Sequence, residues 1–169
     1  DDARLPLPHV IAYGIEMLRA LGYLHSQGLL YCDLKPANVM QSEHRITLID
    51  LGGARQMNNR SAPIFGTPPF TAPEVLAEGP SIRSDLYTVG RTMAVLSFPF
   101  DSADEYLTDL PGQDEIPLLE KYDSYYRLLR RATHPDPRER FADAAEMEEQ
   151  LFGVLREVVS VPRNSEPWP

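Results

Sequence analysis

The chain has 169 residues, 43% hydrophobic and 24% charged, and a net charge of −9. This composition suits a single soluble globular domain, and the acidic balance argues against generic binding to nucleic acid or an anionic membrane. No apolar run approaches the ~18 residues of a membrane span, and the one cysteine, Cys32, excludes an intrachain disulfide and the usual thiolate pairs of a zinc site. A lone thiol is the usage of a reducing cytosol, so the expected location is cytoplasmic.

Residues 1–9 carry Pro6 and Pro8 and read as a linker. The opening Asp-Asp-Ala-Arg lacks both Met and a signal pattern, so it reads as a cut inside a longer protein. Ile11, Ile15, Leu18 and Leu21 to Leu24 then recur at helical spacing, predicting a core-packing helix over roughly 9–26 with Gly28 at its C′ position. Val39–Met40 and Ile46–Leu48 read as two short strands joined by a turn over Gln41 to His44. Residues 54–71 show little periodicity and read as a long ordered loop. A second helix is expected over 82–97, with Gly90 tolerated in its middle because something packs close to its backbone. Residues 98–117 are irregular. Helical spacing returns from Leu118 to Ala132 and must stop at His134-Pro135-Asp136-Pro137. Asp143-Ala144-Ala145-Glu146 is a capping-box pattern opening a last helix with the stripe Met147, Leu151, Val154, Leu155 and Val158. The polar, proline-containing stretch 160–169 reads as a tail. The fold class is therefore mainly α with short β-hairpins, and the expected domain is 1–159.

The stretch that carries chemistry is Tyr31-Cys32-Asp33-Leu34-Lys35-Pro36-Ala37-Asn38, followed twelve residues on by Asp50-Leu51-Gly52. An Asp, an Asn five residues later, then a hairpin and Asp-x-Gly bring three oxygen-bearing groups to one point. Phosphoryl transfer needs such a cluster: one carboxylate to orient and deprotonate the attacking hydroxyl, and a second carboxylate with an amide oxygen to hold Mg²⁺. Taken singly, Asp-Leu-Gly is ordinary turn chemistry, and Asp33 and Asn38 could simply cap a loop.

The same stretch resembles the catalytic loop of protein kinases, and Asp50-Leu51-Gly52 resembles their D-F-G. The match continues in order. Gly66-Thr67-Pro68-Pro69-Phe70-Thr71-Ala72-Pro73-Glu74 resembles the end of an activation segment. Ser84-Asp85-Leu86-Tyr87-Thr88-Val89-Gly90 resembles the helix under the catalytic loop, and Asp136-Pro137-Arg138-Glu139-Arg140-Phe141 a D-P-x-x-R-F motif. The resemblance covers about residues 9–159 and is to the C-terminal lobe of a serine/threonine kinase. It implies Asp33 as catalytic base, Lys35 steadying the γ-phosphate of ATP, and Asn38 and Asp50 as Mg²⁺ ligands. Met40 would lie against the adenine. Thr67 would bond Asp33 and Lys35, Asp85 would accept backbone N–H groups from the catalytic loop, and Arg140 would pair with Glu74.

Finer details are similar to the protein kinase G family of mycobacteria and other actinobacteria: Tyr-Cys-Asp in place of His-Arg-Asp, Leu51 in place of Phe, and Leu-Tyr-Thr-Val-Gly-Arg-Thr after Asp85. In that family a rubredoxin-like module precedes the kinase domain and a tetratricopeptide-repeat domain follows it. Cys32 in place of Arg makes this a non-RD kinase, expected not to need activation-loop phosphorylation at Ser61, Thr67 or Thr71. Cys32 itself reads as a small filler under the loop, with a redox sensor as the alternative. His25 reads as a packing or helix-end residue. No Gly-rich loop and no strand lysine precede residue 9, so the N-terminal lobe is expected to be absent and the fragment alone inactive. It is expected to bind its own N-lobe or self-associate through the apolar surface around Met40. A protein substrate is implied. A pseudokinase scaffold, serving as an interaction module, is the competing reading; a small-molecule phosphotransferase is disfavoured by Ala72-Pro73-Glu74 and Arg140.

Overall fold

The computed structural model describes residues 5–42, 45–48, 53–59 and 66–160, with side chains left out of the description at 40–42 and 45–48. The elements in chain order are α1 (Leu7–Ser26), β1 (Leu29–Leu30), a 3₁₀ turn at Pro36–Asn38, β2 (Val39–Ser42), β3 (Arg45–Leu48) and β4 (Arg55–Gln56). Then come α2 (Val75–Glu78), α3 (Ile82–Ser97), α4 (Pro117–Lys121), α5 (Asp123–Ala132) and α6 (Ala144–Ser160). The architecture is a helical bundle with two small antiparallel ladders, as a kinase C-terminal lobe requires. β2 pairs with β3 as a tight hairpin, and β1 pairs with β4 across 24 intervening residues, Leu30 facing Arg55.

The apolar stripe of α1 packs on α6 and α3, and α5 packs on α3 and α6. Val10, Ile11, Met17, Leu18 and Leu21 interleave with Val89, Met93, Leu129, Met147 and Leu151 in one continuous core. α3 runs through the middle and is buried from Ser84 to Ala94, polar residues included. Buried charges must find partners, and those of Asp85 and Arg91 lie in loops outside the helix. The start of α3 is a reciprocal cap: Ser81 accepts from the Ser84 amide at 3.1 Å, and the Ser84 hydroxyl accepts from the Ser81 amide at 2.7 Å.

Several expectations meet the coordinates directly. Gly28 follows α1 with φ of 76°, the left-handed conformation that suits glycine at C′. A Cβ at Gly90 would lie 2.9 Å from both the Ala132 Cβ and the Thr133 Cγ2, so α5 is the neighbour its lack of a side chain admits. Asp143 caps α6 by accepting the Glu146 amide at 2.8 Å. The Glu146 carboxylate does not close the box; it takes Arg131 at 2.7 Å instead.

Other expectations are corrected. Residues 1–9 are not all linker: α1 begins at Leu7, which is buried, and Pro8 is tolerated because first-turn N–H groups have no helical acceptor. The helix expected over 118–132 is two helices, broken at Tyr122, whose φ of −119° and ψ of 78° are not helical. Residues 54–71 contain β4, a two-residue strand too short to show alternation. α2 is one turn beyond the Ala72-Pro73-Glu74 triplet and also too short for a periodic signal.

Candidate active site

The loop between β1 and the 3₁₀ turn is fixed from below by α3. The Asp85 carboxylate accepts the Tyr31 amide at 2.9 Å and the Cys32 amide at 2.9 Å, one on each oxygen. His25, from the last turn of α1, places Nε2 2.8 Å from the oxygen that takes Tyr31, and both side chains are buried. Cys32 is the one described non-glycine residue with positive φ, 72°. Strain of this kind persists where surrounding bonds over-determine the backbone, and Asp85 supplies two of them. The turn so enforced lifts Asp33 away from the core, half-buried.

Around Asp33 the side chains converge. Thr67 donates its hydroxyl to Asp33 Oδ1 at 3.1 Å, and Lys35 Nζ donates to Thr67 Oγ1 at 2.9 Å. Lys35 Nζ is also 3.7 Å from Asp33 Oδ2, an ion pair at the edge of contact. Asn38 is buried in the 3₁₀ turn and donates its amide nitrogen to the Asp33 backbone carbonyl at 2.7 Å. The same nitrogen lies 3.4 Å from Asp33 Oδ2, so the amide is tied to Asp33 through its nitrogen. Asp50 lies outside the described residues, as do Leu51 and Gly52. Met40 belongs to β2, its side chain undescribed.

Thr67 reaches Asp33 because its own segment is tightly turned: the Phe70 and Thr71 amides bond back to the Thr67 carbonyl at 2.7 and 3.2 Å. Downstream, Glu74 takes a two-bond fork from Arg140, at 2.6 and 2.9 Å. Arg140 is fully buried, and its Nε donates to the His134 carbonyl at 2.7 Å while its guanidinium stacks over the Tyr87 ring at 4.9 Å. A buried charge pair is tolerated when its remaining donors are satisfied, and these are.

Cys32 is buried, and burial first, then the Asp85 and Asp33 carboxylates, push its thiol up to about 12, against an opposing pull from Arg55. A redox sensor needs an accessible thiolate, and a buried thiol beside two carboxylates favours the filler reading of Cys32. Among the described residues no group of three His, Cys, Asp or Glu side chains is arranged to hold a metal ion.

Two contacts escaped the residue pattern. His25 is at the helix end, as its place before Gly28 implies, and beyond that it bonds Asp85 and so supports the loop. Arg91 stands in the segment after Asp85 that carries the resemblance, but the sequence assigns it no role, although a charge inside a buried helix next to a constrained Gly90 is conspicuous. It is fully buried, and desolvation lowers its pKa.

With this geometry in view, the comparisons with known proteins are specific. The family described as protein kinase domain matches residues 3–152. The chain is 52% identical over 159 residues to the serine/threonine-protein kinase PknG of Mycolicibacterium smegmatis, covering 94% of this chain and 20% of that protein. It is 50% identical over 158 residues to PknG of Mycobacterium leprae, covering 93% and 20%. Mitogen-activated protein kinase kinase kinase 17 of Arabidopsis thaliana is 36% identical over 110 residues, 62% of this chain and 30% of that protein. The chain thus spans about a fifth of the length of the mycobacterial relatives it matches. No described helix is long and apolar enough to cross a membrane.

Proposed function

This chain belongs to the protein kinase family, and from that premise we propose that it is the catalytic lobe of a serine/threonine kinase passing the ATP γ-phosphate to protein hydroxyls. The observation that carries the proposal is the triangle of Asp33, Thr67 and Lys35. Asp33 is the base: a substrate hydroxyl presented to its carboxylate is oriented and gives up its proton as the phosphoryl group arrives. The Thr67 hydroxyl holds Oδ1, while Oδ2 lies 3.4 Å from Asn38 Nδ2 and 3.7 Å from Lys35 Nζ. Lys35 pairs with the carboxylate at 3.7 Å and steadies the γ-phosphate with the rest of its donors. Asn38, through its amide oxygen, and Asp50 would hold Mg²⁺, which when bound neutralises phosphate charge. Met40 would close the adenine side. Asp85, His25, Glu74 and Arg140 act through the backbone, fixing the loops that bear these groups.

On this reading ATP is bound only together with an N-terminal lobe carrying the Gly-rich loop and strand lysine, and the lobe alone is inactive. The site is non-RD, its loop held by Asp85 and not by a phosphate on the activation segment; Ser61, one position relevant to that idea, lies outside the described residues. A cytoplasmic location, protein substrates, and flanking rubredoxin-like and tetratricopeptide-repeat domains complete the proposal. The test is transfer of labelled phosphate from Mg-ATP by the full-length protein to a serine/threonine peptide. Labelled phosphoserine or phosphothreonine is the expected product. Nucleotide binding with no transfer would support the scaffold reading instead.

A further inference from the structure

Thr108 is an exposed residue of the connection between α3 and α4, and it lines a cavity of about 410 Å³ together with Asp109, Arg130, Thr133, His134 and Pro135. Two separate stretches of chain therefore meet there: the α3–α4 connection and the end of α5. The backbone on either side of Thr108 is fixed. Arg91, fully buried in α3, donates from Nη2 to the Tyr106 carbonyl at 2.7 Å and from Nη1 to the Asp109 carbonyl at 2.5 Å. A planar guanidinium fork sets the positions of its acceptors, so Thr108 between them keeps its place beside the cavity. Its hydroxyl makes no hydrogen bond to the described residues.

The α5 side of the cavity holds donors with nothing to take them. Along α5, Arg127 pairs with Asp123 at 2.8 Å and Arg131 with Glu146 at 2.7 Å. Arg130 meets no carboxylate among the described residues; its guanidinium lies 5.8 Å from the Tyr126 ring centroid. His134 accepts the Asp136 amide on Nδ1 at 3.0 Å, so its ring proton sits on Nε2 as a second donor. Two features oppose an anion here, and both are damped. Asp109 is the one acid in the lining, and its Oδ1 accepts the Leu110 amide at 2.8 Å. The negative end of α5 is partly satisfied, because the Leu129 carbonyl takes the Thr133 hydroxyl at 2.7 Å and the Arg131 carbonyl takes the His134 amide at 3.3 Å. A phosphate carries close to two negative charges and three acceptor oxygens, which matches an unpaired guanidinium and an imidazole N–H across from a threonine.

We propose that Thr108 is a phosphorylation site whose phosphate Arg130 and His134 hold in this cavity, tying the α3–α4 connection to the end of α5. This rests on the kinase reading above, with a second copy of the chain as the catalyst. The Thr108 hydroxyl oxygen bonds to the γ-phosphorus of ATP, the bond from that phosphorus to the β–γ bridging oxygen breaks, the hydroxyl proton passes to the second copy's Asp33 carboxylate, and ADP leaves. The experiment uses full-length wild type as enzyme, full-length Asp33→Asn as acceptor and Mg-ATP as donor, with a serine/threonine peptide in a parallel reaction and the modified residues mapped by mass spectrometry. Phosphate is expected on Thr108 of the acceptor and none at that position when the acceptor also carries Thr108→Val. The phosphorylated acceptor is then treated with a phosphatase. Arg130→Gln, an exposed substitution, is expected to speed release of the Thr108 phosphate about tenfold, because the guanidinium no longer shields it. A labelled peptide with Thr108 unmodified would overturn the inference and leave the kinase reading standing, and so would equal release rates with and without Arg130. No label on peptide or acceptor would bring down that reading and this inference together.

Discussion

Two charged side chains leave the same helix six residues apart and organise opposite sides of the site. Asp85 is an anion near the start of α3 and gathers donors: two backbone amides of the Tyr31–Cys32 loop and the His25 ring. Arg91 is a cation further along and gathers carbonyls of Pro69, Ser102, Tyr106 and Asp109. The first arrangement fixes one short loop and, through it, Asp33. The second joins two segments distant in sequence and fixes the space between them. Buried charge is costly when unpaired, so in both places the irregular backbone is held because its own polar groups satisfy the helix. The same side chains that would be liabilities in an apolar core become the means of positioning loops that have no periodic structure of their own.

The comparison is broken most severely at Asp85. Asp85→Ala leaves two buried amides without acceptors and removes the counterpart of the left-handed Cys32; a loss of about 3–5 kcal/mol is expected in urea unfolding, with faster amide exchange at Tyr31 and Cys32. Next, Glu74→Gln leaves the buried Arg140 facing a neutral amide and should cost about 2–3 kcal/mol by the same measurement, exchange rising around residues 72–78 instead. Gly90→Ala drives a methyl into Ala132 and Thr133 between the two anchors and should cost about 1–3 kcal/mol. Gly153→Ala meets nothing nearer than an Arg156 nitrogen at 3.8 Å and should instead gain roughly 0.5–1 kcal/mol in thermal melting. The last effect concerns pH and shows only above the physiological range. The Cys32 thiol ionises at about 12 when folded against a usual 9.0, so the folded state holds the proton longer. Its stabilising share is complete below pH 9.0 and is lost as pH rises toward 12; a Cys32→Ala variant should show a shallower decline in stability over that window.

The helices were legible because burial imposes period. α1, α3 and α6 each carry a stripe long enough to read, and α3 fell at 82–97 as expected. β4 and α2 are two and four residues long, below one full period of their kind, and their existence depends on partners across the chain. The break at Tyr122 carries no Pro or Gly, so local chemistry gave no sign of it. The candidate site rests on a different signal: the spacing of Asp33, Asn38 and Asp50 is itself a chemical statement, while the role of Lys35 comes from resemblance. Thr67, Asp85, Glu74 and Arg140 came from resemblance and could not have been joined to them by spacing alone. Arg91 was missed because its partners are main-chain carbonyls, which leave no trace in side-chain identity.

The central claim is that Asp33, held by Thr67 and set beside Lys35, accepts the proton of a substrate hydroxyl. Asp33→Asn in the full-length protein tests it most directly, since the amide keeps the shape and can still accept from Thr67 while losing the base. Phosphate transfer from Mg-ATP to a serine/threonine peptide should fall about 10²–10⁴-fold in kcat, with nucleotide affinity and melting temperature close to wild type. Transfer by Asp33→Asn at the wild-type rate would contradict the account.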